Sequence, residues 1–173
     1  VPMNYKPMDE KYSYGYKTIG IPGVVAGLLK LHNNHGSLSL EKVMAPAIEY
    51  ADKGYRILPY EALRQQNAKV IFEEFEGTAT HFLNSEGGSF IAGDLVVQKT
   101  LANTLKIISK KGKAGFYEGE VASKMVNDIK TNGGILTLDD LKNYKAIDSD
   151  VVQGKFANTR VYALNLPSYG AIT

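Results

Sequence analysis

Gly20-Ile21-Pro22-Gly23-Val24-Val25-Ala26-Gly27 decides the reading of this chain, because within it the backbone passes from a stiff turn into a helix. Pro22 fixes its own φ and is followed by a glycine, so the pair reads as a tight turn. From Val24 onward, Val24, Val25, Leu28, Leu29 and Leu31 form an apolar stripe at helical spacing. The stripe ends at His35-Gly36, where glycine can take the left-handed conformation that closes a helix. A proline just before the helix and a glycine just after it fit the usual asymmetry of helix ends. The three glycines do not make a phosphate loop, since no Lys-Ser or Lys-Thr follows the last of them and the G-x-G-x-x-G spacing is not met. Gly27 is instead expected to permit a close backbone approach.

Outward from this stretch the pattern stays helical. Ser39 reads as an N-cap before Leu40, Val43, Met44, Ala47, Ile48 and Ala51, with Glu41 in the first turn. Pro46 predicts either a kink or a turn followed by a fresh helix, and Gly54 ends the run. A further helix is expected to begin after Pro59 and run to about Ile71, with Leu63, Val70 and Gln66 on its inner side. Residues 73–88 read as a loop with a short hairpin carrying Phe82 and Leu83. Leu101, Leu105 and Ile108 predict a helix up to Lys111-Gly112, and Val121, Ala122, Met125 and Ile129 another up to Asn132-Gly133. Thr137-Leu138-Asp139-Asp140 is a capping-box variant opening a short helix to about Tyr144. After it, Ser149 to Val152 and Arg160 to Leu164 are β-forming runs around a polar turn at Ala157-Asn158-Thr159, which predicts a terminal hairpin. Tyr12, Tyr14 and Tyr16 fall on one face of an extended segment that also contains Tyr5, either lining a ligand groove or packing on a neighbouring element.

The fold class is therefore α+β, mainly helical with a C-terminal β-hairpin. It is read as a single unit over residues 1–173, with a helical lobe at about 18–144 and the hairpin at about 145–166. A hairpin left with an open edge normally needs a neighbour.

Composition narrows the function classes. A chain of 173 residues can bury roughly 70% of its unfolded surface, enough for one core. The net charge of +2, from 20 basic and 18 acidic side chains, gives no field to recruit nucleic acid or anionic lipid. No apolar run reaches the length of a membrane span, and the N-terminus, with Lys6, Asp9, Glu10 and Lys11, has no signal-peptide core. With no cysteine there is neither a disulfide nor a thiolate site. The opening at Val1-Pro2-Met3 reads as a piece of a longer chain.

Local constellations that could carry chemistry are weak. His32 and His35 stand three residues apart, yet two imidazoles with only His81 in reserve read as ordinary helix-end histidines rather than a metal site. Glu73, Glu74 and Glu76 could pair as acid and base, but nothing around them predicts burial, so a solvated surface is the reading. Lys106, Lys110, Lys111 and Lys113 cluster at a helix C-terminus, which the dipole favours, and read as a solvated helix end. No Ser, His and Asp arrangement or nucleophile elbow is present.

Seven ordered blocks carry a resemblance to a family: Gly20 to Gly27; Leu29 to Gly36; the Ala45-Pro46-Ala47-Ile48 to Gly54-Tyr55 segment; Gly93-Asp94-Leu95 with Gln98; Leu101-Ala102 with Thr104-Leu105; Gly115-Phe116-Tyr117-Glu118-Gly119-Glu120-Val121-Ala122; and Asn132-Gly133-Gly134-Ile135-Leu136-Thr137 with Asp140-Leu141 and Tyr144. Together they resemble the large subunit of the γ-glutamyltranspeptidases. That resemblance implies the N-terminal nucleophile hydrolase fold, an αββα sandwich built from a large and a small chain after self-cleavage. It implies γ-glutamyl hydrolysis or transfer by a threonine that uses its own α-amino group as base, with no cofactor. It also implies a secreted, periplasmic or cell-surface setting, and as partners the remainder of the large subunit and the small subunit. The nucleophile is expected downstream of Thr173 and the arginine that grips the substrate carboxylate upstream of Val1. Thr173 lacks the Thr-Thr-His context of the nucleophile, so no catalytic, substrate-binding or metal residue is carried over. The chain alone is expected to be inactive. Two departures stand out. Phe156-Ala157-Asn158-Thr159 replaces the family's Tyr-Arg-Gly-Tyr turn, and Leu166-Pro167-Ser168-Tyr169-Gly170-Ala171 replaces its Pro-Pro-Pro-Ser-Ser-Gly-Gly stretch. The aromatic at Tyr169 is reminiscent of the branch that acts on capsule poly-γ-glutamate.

Overall fold

The computed structural model describes residues 15–164. The expectations for Tyr5, Tyr12 and Tyr14, for the Leu166 to Ala171 stretch and for Thr173 lie outside the described residues. Tyr16 itself opens a 3-10 turn, Tyr16–Thr18, rather than sitting on an extended segment.

Helix α1 covers Val24–His35. Gly36 beyond it is extended, at φ −69° and ψ 134°, and not left-handed as its sequence position predicts. The helix closes instead through the Gly36 N–H donating to the His32 carbonyl at 2.7 Å. Helix α2, Leu40–Lys53, is capped by Ser39, whose hydroxyl accepts from the Lys42 N–H at 3.4 Å. It runs unbroken through Pro46, with neither a new start nor an intervening turn. The carbonyl that Pro46 leaves without a helical partner is that of Lys42, on an exposed stretch where water can reach it, so the helix survives the loss. Gly54, at φ 90°, ends it.

Strand β1, Tyr55–Arg56, pairs antiparallel with β2, Leu95–Val96. Between them the expected single helix is two: α3, Pro59–Asn67, and α4, Lys69–Glu73, separated at Ala68, whose φ of −94° and ψ of 0° leave the helical region. Helix α5, Glu76–Phe82, occupies much of the expected loop. The expected short hairpin is reduced to one bridge, Leu83 to Ser89, folded around Asn84, whose side-chain oxygen accepts from the Glu86 and Gly88 N–H groups. Then follow α6, Lys99–Lys111, α7, Ala114–Tyr117, α8, Gly119–Thr131, and α9, Leu138–Asn143. The capping box on α9 is complete: the Thr137 hydroxyl accepts from the Asp140 N–H, and the Asp140 carboxylate accepts from the Thr137 N–H. The terminal hairpin is longer than its sequence signal, with β3, Val151–Phe156, pairing antiparallel with β4, Thr159–Leu164.

These elements make a mixed, mainly helical chain with small antiparallel sheets. One buried cluster joins Ala26 of α1, Tyr117 of α7, Ala122 and Ile129 of α8, Leu136, and Leu141 of α9. A second joins Ile57, Ala62 and Val96 over the β1–β2 ribbon. Helix α2 lies along α6, and Asp52 draws two α6 lysines to it, Lys99 at 2.9 Å and Lys106 at 3.4 Å. The inner side of α3 is Ala62, while Leu63, Val70 and Gln66, expected inside, are exposed. A small side chain lets α3 settle directly on Ile57 and Val96, and that turns the larger neighbours outward. Both strands of the terminal hairpin are exposed along almost their whole length.

Candidate functional site

The best-built polar junction in the chain meets the opening turn. Helix α1 starts at Val24 with Gly23 as its N-cap, which has no side chain to accept from the first free N–H groups. Tyr117 supplies what is missing. Its hydroxyl accepts from the Ala26 N–H at 3.1 Å and donates to the Pro22 carbonyl at 2.5 Å. The ring is 1% exposed, stacks on Tyr144 at 5.9 Å and lies beneath the Lys113 ammonium at 5.6 Å. Burial raises the Tyr117 pKa above its ordinary value, the Ala26 N–H lowers it, and Tyr144 raises it further. A Cβ at Gly23 would land on the Tyr144 hydroxyl, so any larger residue here requires the Tyr144 ring to shift. Gly27, expected to serve a close approach, has no neighbour within 4 Å of where its Cβ would stand. The close approach belongs to Gly23.

A second feature is an open cleft of about 670 Å³ between the Tyr16 turn, α4, α5 and α8. It adjoins a hollow of about 500 Å³ with which it shares Tyr16, Phe75, Gly77, His81 and Asp128. Its floor is aromatic: Tyr16 meets Phe75 edge to face at 5.9 Å, and Phe72 stacks on Phe82 at 5.2 Å. Glu74, Glu76 and Asp128 line its rim, and among the described lining residues there is neither lysine nor arginine. The Tyr16 pKa is raised, first by burial, then by the Asp128 charge and the hydrogen bond to it, and then by Glu76. An apolar floor under carboxylates suits packing and cation contact. Of the lining hydroxyls, that of Thr80 donates to the Glu76 carbonyl on its own helix.

The candidate residues of the sequence are scattered. His32 Nε2 contacts the Leu38 carbonyl at 2.9 Å, tying the end of α1 to the loop before α2. His81 lies at the far cleft. Among the described residues no three His, Cys, Asp or Glu side chains gather closely enough to hold a metal ion. Glu73 pairs with Lys69 on its own helix, and Glu76 stands in the first turn of α5. The lysine cluster is the solvated helix end its spacing predicts, since Lys110, Lys111 and Lys113 are exposed and Lys106 is half-buried. Lys106 reaches Asp52 on α2, and Lys113 donates to the Tyr144 carbonyl at 2.5 Å, so two of the four cations are structural ties. The Tyr117 junction has no signal in spacing, because its partners lie 91 and 95 residues away.

Comparison with known proteins identifies the arrangement. The γ-glutamyltranspeptidase family model matches residues 2–173. The glutathione hydrolase proenzyme of Pseudomonas sp. (strain A14) is 34% identical over 158 residues, covering 91% of this chain and 28% of that protein. The capsule biosynthesis protein CapD proenzyme of Bacillus anthracis is 34% identical over 152 residues, covering 88% of this chain and 27% of that protein. The crystal structure of Helicobacter pylori γ-glutamyltranspeptidase superposes with a TM-score of 0.89 at 31% identity, covering 98% of this chain and 52% of that one. The chain thus spans under a third of the length of these curated relatives and about half of the solved chain. It belongs to the γ-glutamyltranspeptidase family.

Proposed function

We propose that this chain is the helical lobe, with the first returning strands, of the large subunit of an enzyme that hydrolyses or transfers γ-glutamyl groups. The observation that carries the reading is the family match over residues 2–173, together with seven motif blocks in family order. In this reading the chain is one unit, a lobe at about 18–144 and a hairpin at about 145–166, and the parent fold is an αββα sandwich. The nucleophile is a threonine exposed by self-cleavage and activated by its own α-amino group. It attacks the γ-carbonyl, releases the amine, and passes the glutamyl group to water or to a second amine. Glutathione is the first candidate substrate, as the relative's name indicates. Both the nucleophile and the arginine gripping the substrate lie in other parts of the polypeptide, so this chain supports the site without reacting. The remainder of the large subunit and the small subunit are its partners, and the setting is secreted, periplasmic or cell-surface.

The likeness to the B. anthracis capsule protein favours a second reading with the same chemistry, in which poly-γ-glutamate is the substrate. One experiment separates the two. The complete polypeptide carrying this sequence is expressed, followed on a denaturing gel for self-cleavage, and assayed with γ-glutamyl p-nitroanilide, glutathione and poly-γ-glutamate. Cleavage into two chains with release of the anilide is expected. Turnover of the polymer but not of glutathione moves the assignment to the capsule branch. A polypeptide that neither cleaves itself nor releases the anilide refutes the enzyme reading and leaves a non-catalytic scaffold.

A further inference from the structure

We infer that α1 is an interior helix of the complete protein, and that the rest of the same polypeptide packs an apolar element onto its outward stripe, Val24, Leu28 and Leu31. The inference rests on the chain being part of a longer family member. Helix α1 already spends one face on the lobe, where Ala26 and Leu29 are buried. Its opposite face carries Val24, Leu28 and Leu31 at intervals of four and three residues, on one line along the helix. They are 72%, 61% and 59% exposed. A helix with apolar side chains on both faces is the pattern of a buried helix and not of a surface one. Gly27, beside Leu28 and with no neighbour in the lobe, leaves that side open for an incoming element to come near the backbone.

The occupant follows from what surrounds the stripe. Lys30 of α1 donates to the Ala146 carbonyl at 3.3 Å and pairs with Asp148 at 2.7 Å. These contacts bring the segment that leads into the terminal hairpin, which begins at Val151, beside the same helix. The hairpin is itself uncovered, with Val151, Phe156, Tyr162 and Leu164 among its exposed apolar side chains. The stripe and the hairpin that follows this contact are both uncovered, and the relatives carry more than twice this chain's length outside the matched region to cover them. The stripe bears no charge, so the covering side chains are aliphatic or aromatic.

The test uses the complete polypeptide, with cysteines introduced singly by L28C and L31C. K124C, at a lysine side chain that is 77% exposed on α8, serves as the accessible control. Alkylation of the two stripe cysteines is expected to run at least about tenfold slower than that of K124C under native conditions, and to equal it in denaturant. Equal native rates at either stripe position overturn the inference. Protection that disappears on dilution to monomer also overturns it, because a second copy would then be the cover. The anilide assay on the same variants keeps the two readings apart. Activity with accessible cysteines refutes only the covering, and protection without activity refutes only the proposed reaction.

Discussion

Replacing Tyr117 by phenylalanine removes one oxygen from the interior and asks whether that oxygen holds the start of α1. The ring and its stacking on Tyr144 stay, so no cavity forms. What goes is the acceptor for the Ala26 N–H at 3.1 Å and the donor to the Pro22 carbonyl at 2.5 Å. The first is the work of an N-cap, worth about 1 kcal/mol. The second is a hydrogen bond to a half-buried carbonyl that water can partly replace, worth about 1 kcal/mol more. The sum, about 2 kcal/mol, corresponds to roughly a thirtyfold change in an opening equilibrium. Hydrogen exchange of the Ala26 amide in the complete polypeptide reads this directly, and urea unfolding reads the global part. Y117F should speed that exchange about thirtyfold where exchange proceeds by local opening. Tyr117→Ala, which also empties the ring's volume, should cost about 3–5 kcal/mol. If the Ala26 amide of Y117F exchanges within a factor of about two of the parent, the hydroxyl does not cap α1 and the reasoning fails.

Three more outcomes are expected. Gly23→Ala drives a methyl into the Tyr144 hydroxyl and should destabilise by about 1–3 kcal/mol; adding Tyr144→Phe should recover part of that in a double-mutant cycle, and strict additivity would show that the two do not meet. Tyr55 donates to Glu61 at 2.6 Å, and its pKa is pushed up to about 12 by burial and then by that bond. A raised folded-state pKa means that its contribution is whole below the unfolded value of 10.0 and is lost as pH climbs towards about 12, so Y55F should flatten the alkaline limb of a stability–pH curve; an unchanged limb refutes it. Thr137→Ala breaks the α9 capping box and should cost about 1 kcal/mol near neutral pH. The Asp140 pKa is lowered by the Thr137 hydroxyl and N–H, so the carboxylate's contribution is present above the unfolded value of 3.8 and lost as pH falls through the folded one. The penalty of T137A should therefore shrink in acid, and a pH-independent penalty would count against the box.

The sequence shows its long amphipathic helices and hides what tertiary contact decides. Helices α1, α2, α6 and α8 come through because each carries a periodic apolar face and a stop signal. The α9 capping box is legible because all its atoms lie within four consecutive residues. Helix α5 is not, since Thr78, Ala79, Thr80 and His81 give no periodicity, and Phe82 at its end is fixed by stacking on Phe72 of another helix. Leu63 and Val70 mislead for a related reason: helical spacing says that a face exists but not which neighbour arrives, and Ala62 is what fits against Ile57 and Val96. At the opening turn, three glycines look alike in sequence, yet only Gly23 is crowded by a neighbour in the lobe, and that neighbour, Tyr144, is far along the chain. The aromatic cleft under Asp128 assembles from three separated segments and leaves no local trace.

The reach of Tyr117 back to Pro22 and Ala26 also sets an order of events at the ribosome. The start of α1 is made first and its cap about ninety residues later, a delay of roughly 5–20 seconds at ordinary synthesis rates. A twelve-residue helix without a cap is marginal on its own. The nascent segment therefore waits, apolar on two faces, until α7 has been synthesised, and that interval is when it is most in need of a chaperone.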